Sequence, residues 1–242
     1  MHSLCHASRR PAARTPTFVG LWIGAALMLA CKVEAPTRTQ EAKTQGVASE
    51  PAPAALREAE LGPRVAFLGD SLSAGLHLSA EQAFPAILQR RFASKGRPFR
   101  LINASVSGDT SAGGLRRTDW LLRQRPAIVV LELGANDGLR GIPVETVEAN
   151  LRAIVAKAQA QGAKVLLLGM RLPPSYGAEY TAEFASMYER LASDMHLPSV
   201  PFFMHGVAGV PALNLEDGLH PTVAGHELLA DNVSSALERL LR

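Results

Sequence analysis

Cysteine is nearly missing from this chain. Cys5 and Cys31 are the only two in 242 residues. Beyond position 31 there is none, so no disulfide framework and no cysteine metal site can form there. Aromatic residues are scarce as well, at 5% with two Trp and three Tyr. That leaves little material for stacked base or sugar platforms. A long membrane span is also lacking. The apolar run from Phe18 to Ala30 falls short of the roughly 20 residues a span needs. Finally, the bulk of the chain has no basic excess. The formal charge is +3 and the sequence pI about 9.1, but the first thirty residues hold Arg9, Arg10 and Arg14 and no acid. Without them the charges balance, so nothing points to a nucleic-acid partner.

The leader itself reads as an export signal: a basic start, the apolar run, then small residues before Cys31. The segment Leu27-Met28-Leu29-Ala30-Cys31 resembles the lipobox of bacterial lipoproteins, with Met28 where that motif prefers Leu. The expectation is a signal peptide over 1–31 with lipidation at Cys31. Plain signal cleavage and an uncleaved anchor are the alternatives. Residues 32–62 are rich in Ala, Pro, Thr, Glu and Gln and hold no aromatic residue, which predicts a disordered tether.

From about residue 63 to the C-terminus, short apolar runs alternate with amphipathic stretches. The runs at 65–68, 101–104, 128–133, 165–168 and 199–202 predict strands. The stretches at 84–92, 114–122, 144–160, 184–191 and 223–241 predict helices. Apolar strands alternating with helices predict an α/β fold with a parallel sheet covered on both faces. Ligands then bind beyond the carboxyl ends of the strands. Gly69-Asp70-Ser71, Ser107-Gly108-Asp109 and Gly134-Ala135-Asn136-Asp137 all follow strands and fall on that edge.

A serine hydroxyl needs a base, the base an orienting carboxylate, and the oxyanion fixed donors. Each part has a candidate. Ser71 follows the first strand at a helix turn, though Asp and Ser there also suit a plain helix cap. Asp217 and His220 sit three apart in the last loop, and Pro221 in a first helical turn would set His220 at or beside the N-cap. By itself that is equally a capped polar loop. Gly108 and Asn136 are turn residues on their own, or oxyanion donors in company. His226 reads as a helix-face residue, and His77, His196 and His205 have no carboxylate at useful spacing. Asp70, Asp109 and Asp137 read as loop-fixing.

Taken in this order, Gly69-Asp70-Ser71-Leu72-Ser73, Gly108, Gly134-Ala135-Asn136-Asp137 and Asp217-Gly218-Leu219-His220-Pro221 resemble the four blocks of the SGNH (GDSL-type) hydrolase family. The likeness is to its thioesterase, lysophospholipase and arylesterase branch, with Leu133–Gly141 and Arg171–Gly177 in support. Ala135 departs from the glycine of many relatives. The resemblance implies a three-layer α/β/α, flavodoxin-like fold with a five-stranded parallel sheet. It implies a Ser71–His220–Asp217 triad, an oxyanion hole of the Ser71 and Gly108 N–H groups with Asn136, and neither metal nor organic cofactor. It also implies an acyl groove flanked by Leu139, Ile142, Leu172, Pro173 and Tyr176.

The expected activity is exported hydrolysis of aryl esters, lysophospholipids or thioesters by a monomer tethered in the periplasm or at the outer membrane. The alternatives are a deacetylase of envelope sugars, for which the loops offer only Tyr176 and Tyr180, and a binding lipoprotein without catalysis.

Overall fold

The computed structural model describes residues 61–242. The leader, Cys31 and all of the tether except its last two residues lie outside the described residues. The chain runs β1 (Arg64–Gly69), α1 (Ser71–Ala74), α2 (Phe84–Ser94), β2 (Arg100–Asn103), α3 (Ser111–Leu122), β3 (Ile128–Glu132), α4 (Ala135–Leu139), α5 (Val144–Ala160), β4 (Lys164–Leu168), α6 (Ala178–Asp194), β5 (Ser199–Val200) and α7 (Val223–Leu240). The sheet order is β2-β1-β3-β4-β5, with every pair parallel. This is the expected α/β fold of flavodoxin-like order.

Burial explains the strands and helices. Val65 to Leu68 and Ile128 to Leu131 are buried without a break, as strands covered on both faces must be. On α5, Val144, Val147, Leu151, Ile154, Val155 and Ala158 are buried at helical spacing, and the remaining face is polar. Helix α2 packs on α7, and α5 packs on both α3 and α6. The Phe84 ring lies between those of Phe67 and Phe203, at centroid distances of 5.6 and 5.8 Å. Burying a ring of that kind stabilises by about 1.5–3 kcal/mol.

Some boundaries differ from those read in the sequence. Helix α6 starts at Ala178, six residues before the predicted 184, because its first turns are exposed and carry little apolar signal. Strand β5 is only Ser199–Val200. The turn helices α1 and α4 are too short to show a period. The closing helix starts after Thr222, whose hydroxyl accepts the Gly225 N–H at 3.3 Å. Pro221 therefore precedes the cap instead of filling the first turn, and His220 stands two residues before the cap.

The strand order reverses at β1, which has β2 on one side and β3 on the other. Crevices for ligands form at such a point. Gly69 pairs with Glu132 in register. The segments after β1 and β3 therefore leave the sheet side by side, and they carry Gly69-Asp70-Ser71 and Gly134-Ala135-Asn136-Asp137.

Candidate active site

Ser71 opens α1, directly after β1. Asp70 is the N-cap: its Oδ1 accepts the Leu72 N–H at 3.0 Å. This makes Asp70 the turn-fixing residue expected from the sequence. Gly69 allows the turn, since a Cβ there would lie 2.5 Å from both Glu132 Oε2 and Ser73 Oγ. Ser71 is 9% exposed, so its hydroxyl is accessible from one side only.

His220 approaches from the loop before α7. That loop is closed by backbone bonds, Leu215 N–H to His220 O at 2.7 Å and Thr222 N–H to Leu213 O at 2.9 Å. Asn214 braces it from below by donating to the carbonyls of Val207 and Val210. His220 Nε2 lies 2.9 Å from Ser71 Oγ, and His220 Nδ1 lies 2.6 Å from Asp217 Oδ2. Asp217 Oδ1 accepts the N–H groups of Leu219 and His220 at 2.9 and 3.0 Å. Bonds from the His220 backbone and ring, then from Leu219, hold the Asp217 carboxyl well below the usual carboxylate range. Asp217 is therefore ionised wherever an imidazole titrates.

The donor candidates sit on neighbouring loops. Gly108 has φ +78, a left-handed backbone suited to glycine. Its carbonyl accepts from Arg140 at 3.0 Å, and its N–H has no hydrogen bond within the described residues. Asn136 is in the first turn of α4. Its amide gives one N–H to Asp70 Oδ2 at 3.1 Å, which leaves the second available. Asp137 is buried and takes both the N–H and the hydroxyl of Ser111, at 2.8 and 2.7 Å. Asp109 pairs with Arg117 Nε at 2.7 Å. Both acids fix loops, as their positions suggested.

A cavity of about 530 Å³ opens onto these groups, with Asp70, Ser71, Asn136 and His220 in its wall. That volume is in the range of small-ligand sites. Of the five groove residues expected, Leu139, Leu172 and Pro173 line the cavity, and Ile142 and Tyr176 are not among the lining residues. Ile142 packs on the core, and Tyr176 supports the wall by donating to the Leu139 carbonyl at 3.1 Å. Met170, Phe202 and Met204 line it too, and sequence reasoning missed them because they follow β4 and β5, which carry no motif; Leu219 lines it from within the Asp217–Pro221 block. Ala135 is also in the wall.

The other histidines separate clearly. His226 is buried, accepts the Phe84 N–H on Nδ1 at 3.2 Å and stacks on the Phe84 ring. Burial pushes its pKa down to about 4. The His77 ring stands edge-on to His220 at a centroid distance of 6.2 Å. Two further residues serve this edge of the sheet and were not singled out in the sequence. Arg117 donates to the carbonyls of Gly69 and Ala104, tying the ends of β1 and β2. Glu132 lies under the nucleophile turn. A lone acid inside Ile-Val-Val-Leu-Glu-Leu was its only signal.

The esterase TesA of Pseudomonas aeruginosa is 48% identical over 175 residues, which cover 72% of this chain and 87% of that protein. Thioesterase 1/protease 1/lysophospholipase L1 of Escherichia coli K12 is 42% identical over 175 residues, covering 72% and 83%. A crystal structure of TesA superposes with a TM-score of 0.71 at 47% identity, over 73% of this chain and 99% of that one. Residues 67–228 match the GDSL-like lipase/acylhydrolase family. The chain belongs to that family and is a carboxylic ester hydrolase.

Proposed function

We propose that this chain is an exported serine acyl hydrolase acting through a Ser71–His220–Asp217 triad. The observation that carries this reading is the continuous contact from Ser71 Oγ through the His220 ring to Asp217. In the first half-reaction Ser71 Oγ attacks the acyl carbonyl carbon, and His220 Nε2 takes the hydroxyl proton. Asp217 fixes the tautomer with the proton on Nδ1 and stabilises the imidazolium. The N–H groups of Ser71 and Gly108 and the free N–H of Asn136 receive the oxyanion. The carbonyl re-forms, the bond to the leaving group breaks, and His220 returns the proton to the departing alcohol or thiol. Water, deprotonated by His220, then attacks the acyl carbon, the bond to Ser71 Oγ breaks, and His220 returns the proton to Ser71 Oγ as the acid leaves. The scheme uses no metal or organic cofactor.

The apolar wall of Leu139, Leu172, Met204 and Leu219 supports an acyl chain as the group held in the cavity. Aryl esters, lysophospholipids and thioesters are the substrate classes we propose. The esterase, the thioesterase/lysophospholipase and an arylesterase among the relatives support the same classes. Phe202 is the only phenyl ring among the lining residues, and Arg171 lies over its face at 5.2 Å. That counts against a sugar platform. The leader and Cys31 support export with a lipid tether. We expect the enzyme to work as a monomer.

Purified wild type and Ser71→Ala, assayed on p-nitrophenyl acyl esters, test the reading. Turnover by the wild type and none above background by the variant is expected. Equal turnover by both refutes it.

A further inference from the structure

A second carboxyl lies behind the nucleophile turn, outside the triad. Glu132 ends β3 and is fully buried. Its Oε2 accepts three hydrogen bonds, from the N–H groups of Asp70 and Ser73 at 3.2 Å each and from Ser73 Oγ at 2.7 Å. Its Oε1 is buried with no partner among the described residues. Asp70, 1% exposed, is joined to it through its backbone N–H, and the charge of the Asp70 carboxyl is close enough to act on Glu132.

Among the described residues no cation pairs with either carboxyl. Arg117 reaches this end of the sheet, but it is committed to Asp109 and to the carbonyls of Gly69 and Ala104. The other titratable groups facing the pair are Tyr188 of α6, Asp137 of α4 and His220. The Tyr188 hydroxyl donates to the Leu133 carbonyl at 2.9 Å, and burial keeps it protonated. Asp137 is held by Ser111. Only His220 is attractive, and it acts on Asp70.

Two adjacent carboxylates in a dry site without a cation do not both ionise. Asp70 is the member that keeps the charge, since Leu72 N–H, the Asn136 amide and His220 all favour its ionised form. Glu132 is the deeper member, and its Oε1 has no donor to accept from. Burial and the Asp70 charge push its carboxyl well above the usual range, whereas burial raises Asp70 only to about 6.

We propose that Glu132 is a neutral carboxylic acid that positions the active site, its Oε1–H donated to the Asp70 carboxylate and its Oε2 anchoring the nucleophile turn. The roles of Ser71 and Asn136 in this account rest on the function proposed above. Glu132 touches no substrate. It fixes Asp70, Asp70 fixes the Asn136 amide, and the second N–H of that amide is thereby aimed at the oxyanion. Because the acid is neutral, Gln is its closest substitute: an amide N–H replaces the O–H, and the amide oxygen takes the donors of the turn.

The test compares Glu132→Ala with Glu132→Gln. Glu132→Ala is expected to lower kcat about 100-fold, the scale of one lost oxyanion donor, with KM little changed. Glu132→Gln is expected to recover activity to within about tenfold of wild type. Side-chain carboxyl carbon NMR of the wild type near neutral pH should show one protonated Glu signal that Glu132→Gln lacks. A Glu132→Gln enzyme as impaired as Glu132→Ala, or a Glu132 carbon with the shift of a carboxylate at neutral pH, overturns the proposal. Should Glu132→Ala fail to fold by circular dichroism, the NMR signal and the Gln variant decide. If a fluorophosphonate fails to label Ser71, the catalytic reading falls, while the NMR result still decides the protonation state.

Discussion

His226 gives the sharpest thermodynamic prediction, because its role is opposite to that of His220. It is buried against Phe84 and must be neutral to accept the Phe84 N–H. Its pKa is about 4 in the folded protein, against the ordinary 6.5. Between these values the unfolded chain binds a proton that the folded protein does not, so stability rises with pH across the window. The stabilisation from the neutral ring is complete above pH 6.5 and fades as pH falls toward 4. Moving from about pH 7.5 to about pH 4.5 should remove about 2.5 kcal/mol. The wild-type curve alone will not display this. Asp70 has a raised pKa of about 6, so it gains protons on folding and favours the native state as pH falls through the same window. Asp217, depressed below the usual range, acts only at lower pH. The comparison must therefore be made against His226→Gln, whose amide oxygen accepts the same N–H without titrating. Urea unfolding of both proteins at the two pH values isolates the effect, and the variant's packing loss cancels in the double difference. A wild-type advantage that shrinks by about 2–3 kcal/mol on acidification is expected. An advantage that stays constant with pH refutes the neutral buried acceptor.

Two kinetic predictions follow from the site. Asn136→Ala should lower kcat by about 10²–10³, as loss of one oxyanion donor does, and steady-state kinetics on a p-nitrophenyl ester measures it. An unchanged kcat would remove Asn136 from the oxyanion hole. Each methylene buried in the cavity should contribute about 0.8 kcal/mol, or about fourfold in kcat/KM, until the cavity is full. A chain-length series should rise and then level, and Leu172→Trp should move the plateau to shorter chains. A flat series, or an unmoved plateau, would place the acyl chain elsewhere.

Much of the fold was legible because it rests on burial. The apolar runs at 65–68 and 128–133 hold no surface face, so they read as central parallel strands. Helix α5 was read to its observed ends because six apolar positions mark one face. The beginning of α6 was hidden, since Ala178 to Glu183 are mostly exposed and depend on the following turns. Ser71, Gly108 and Asn136 were singled out by their place after strands, and Asp217 and His220 by the order of the motifs ahead of the closing helix. Their geometric supports were not. Arg117 and Glu132 act through backbone carbonyls and N–H groups brought together by the sheet register, which no local pattern records. The cavity wall was half legible. Leu139, Leu172 and Pro173 lie beside motifs, whereas Phe202 and Met204 come from a loop after β5 that has none.

Ser71, activated by His220, is the centre of the proposed mechanism. The most direct measurement is covalent modification by a fluorophosphonate, followed by proteolysis and mass spectrometry of the adduct. The adduct is expected on Ser71 alone, absent from Ser71→Ala and slowed by about 10³-fold or more in His220→Ala. Modification at another serine, or labelling of Ser71 at an undiminished rate without His220, would contradict it.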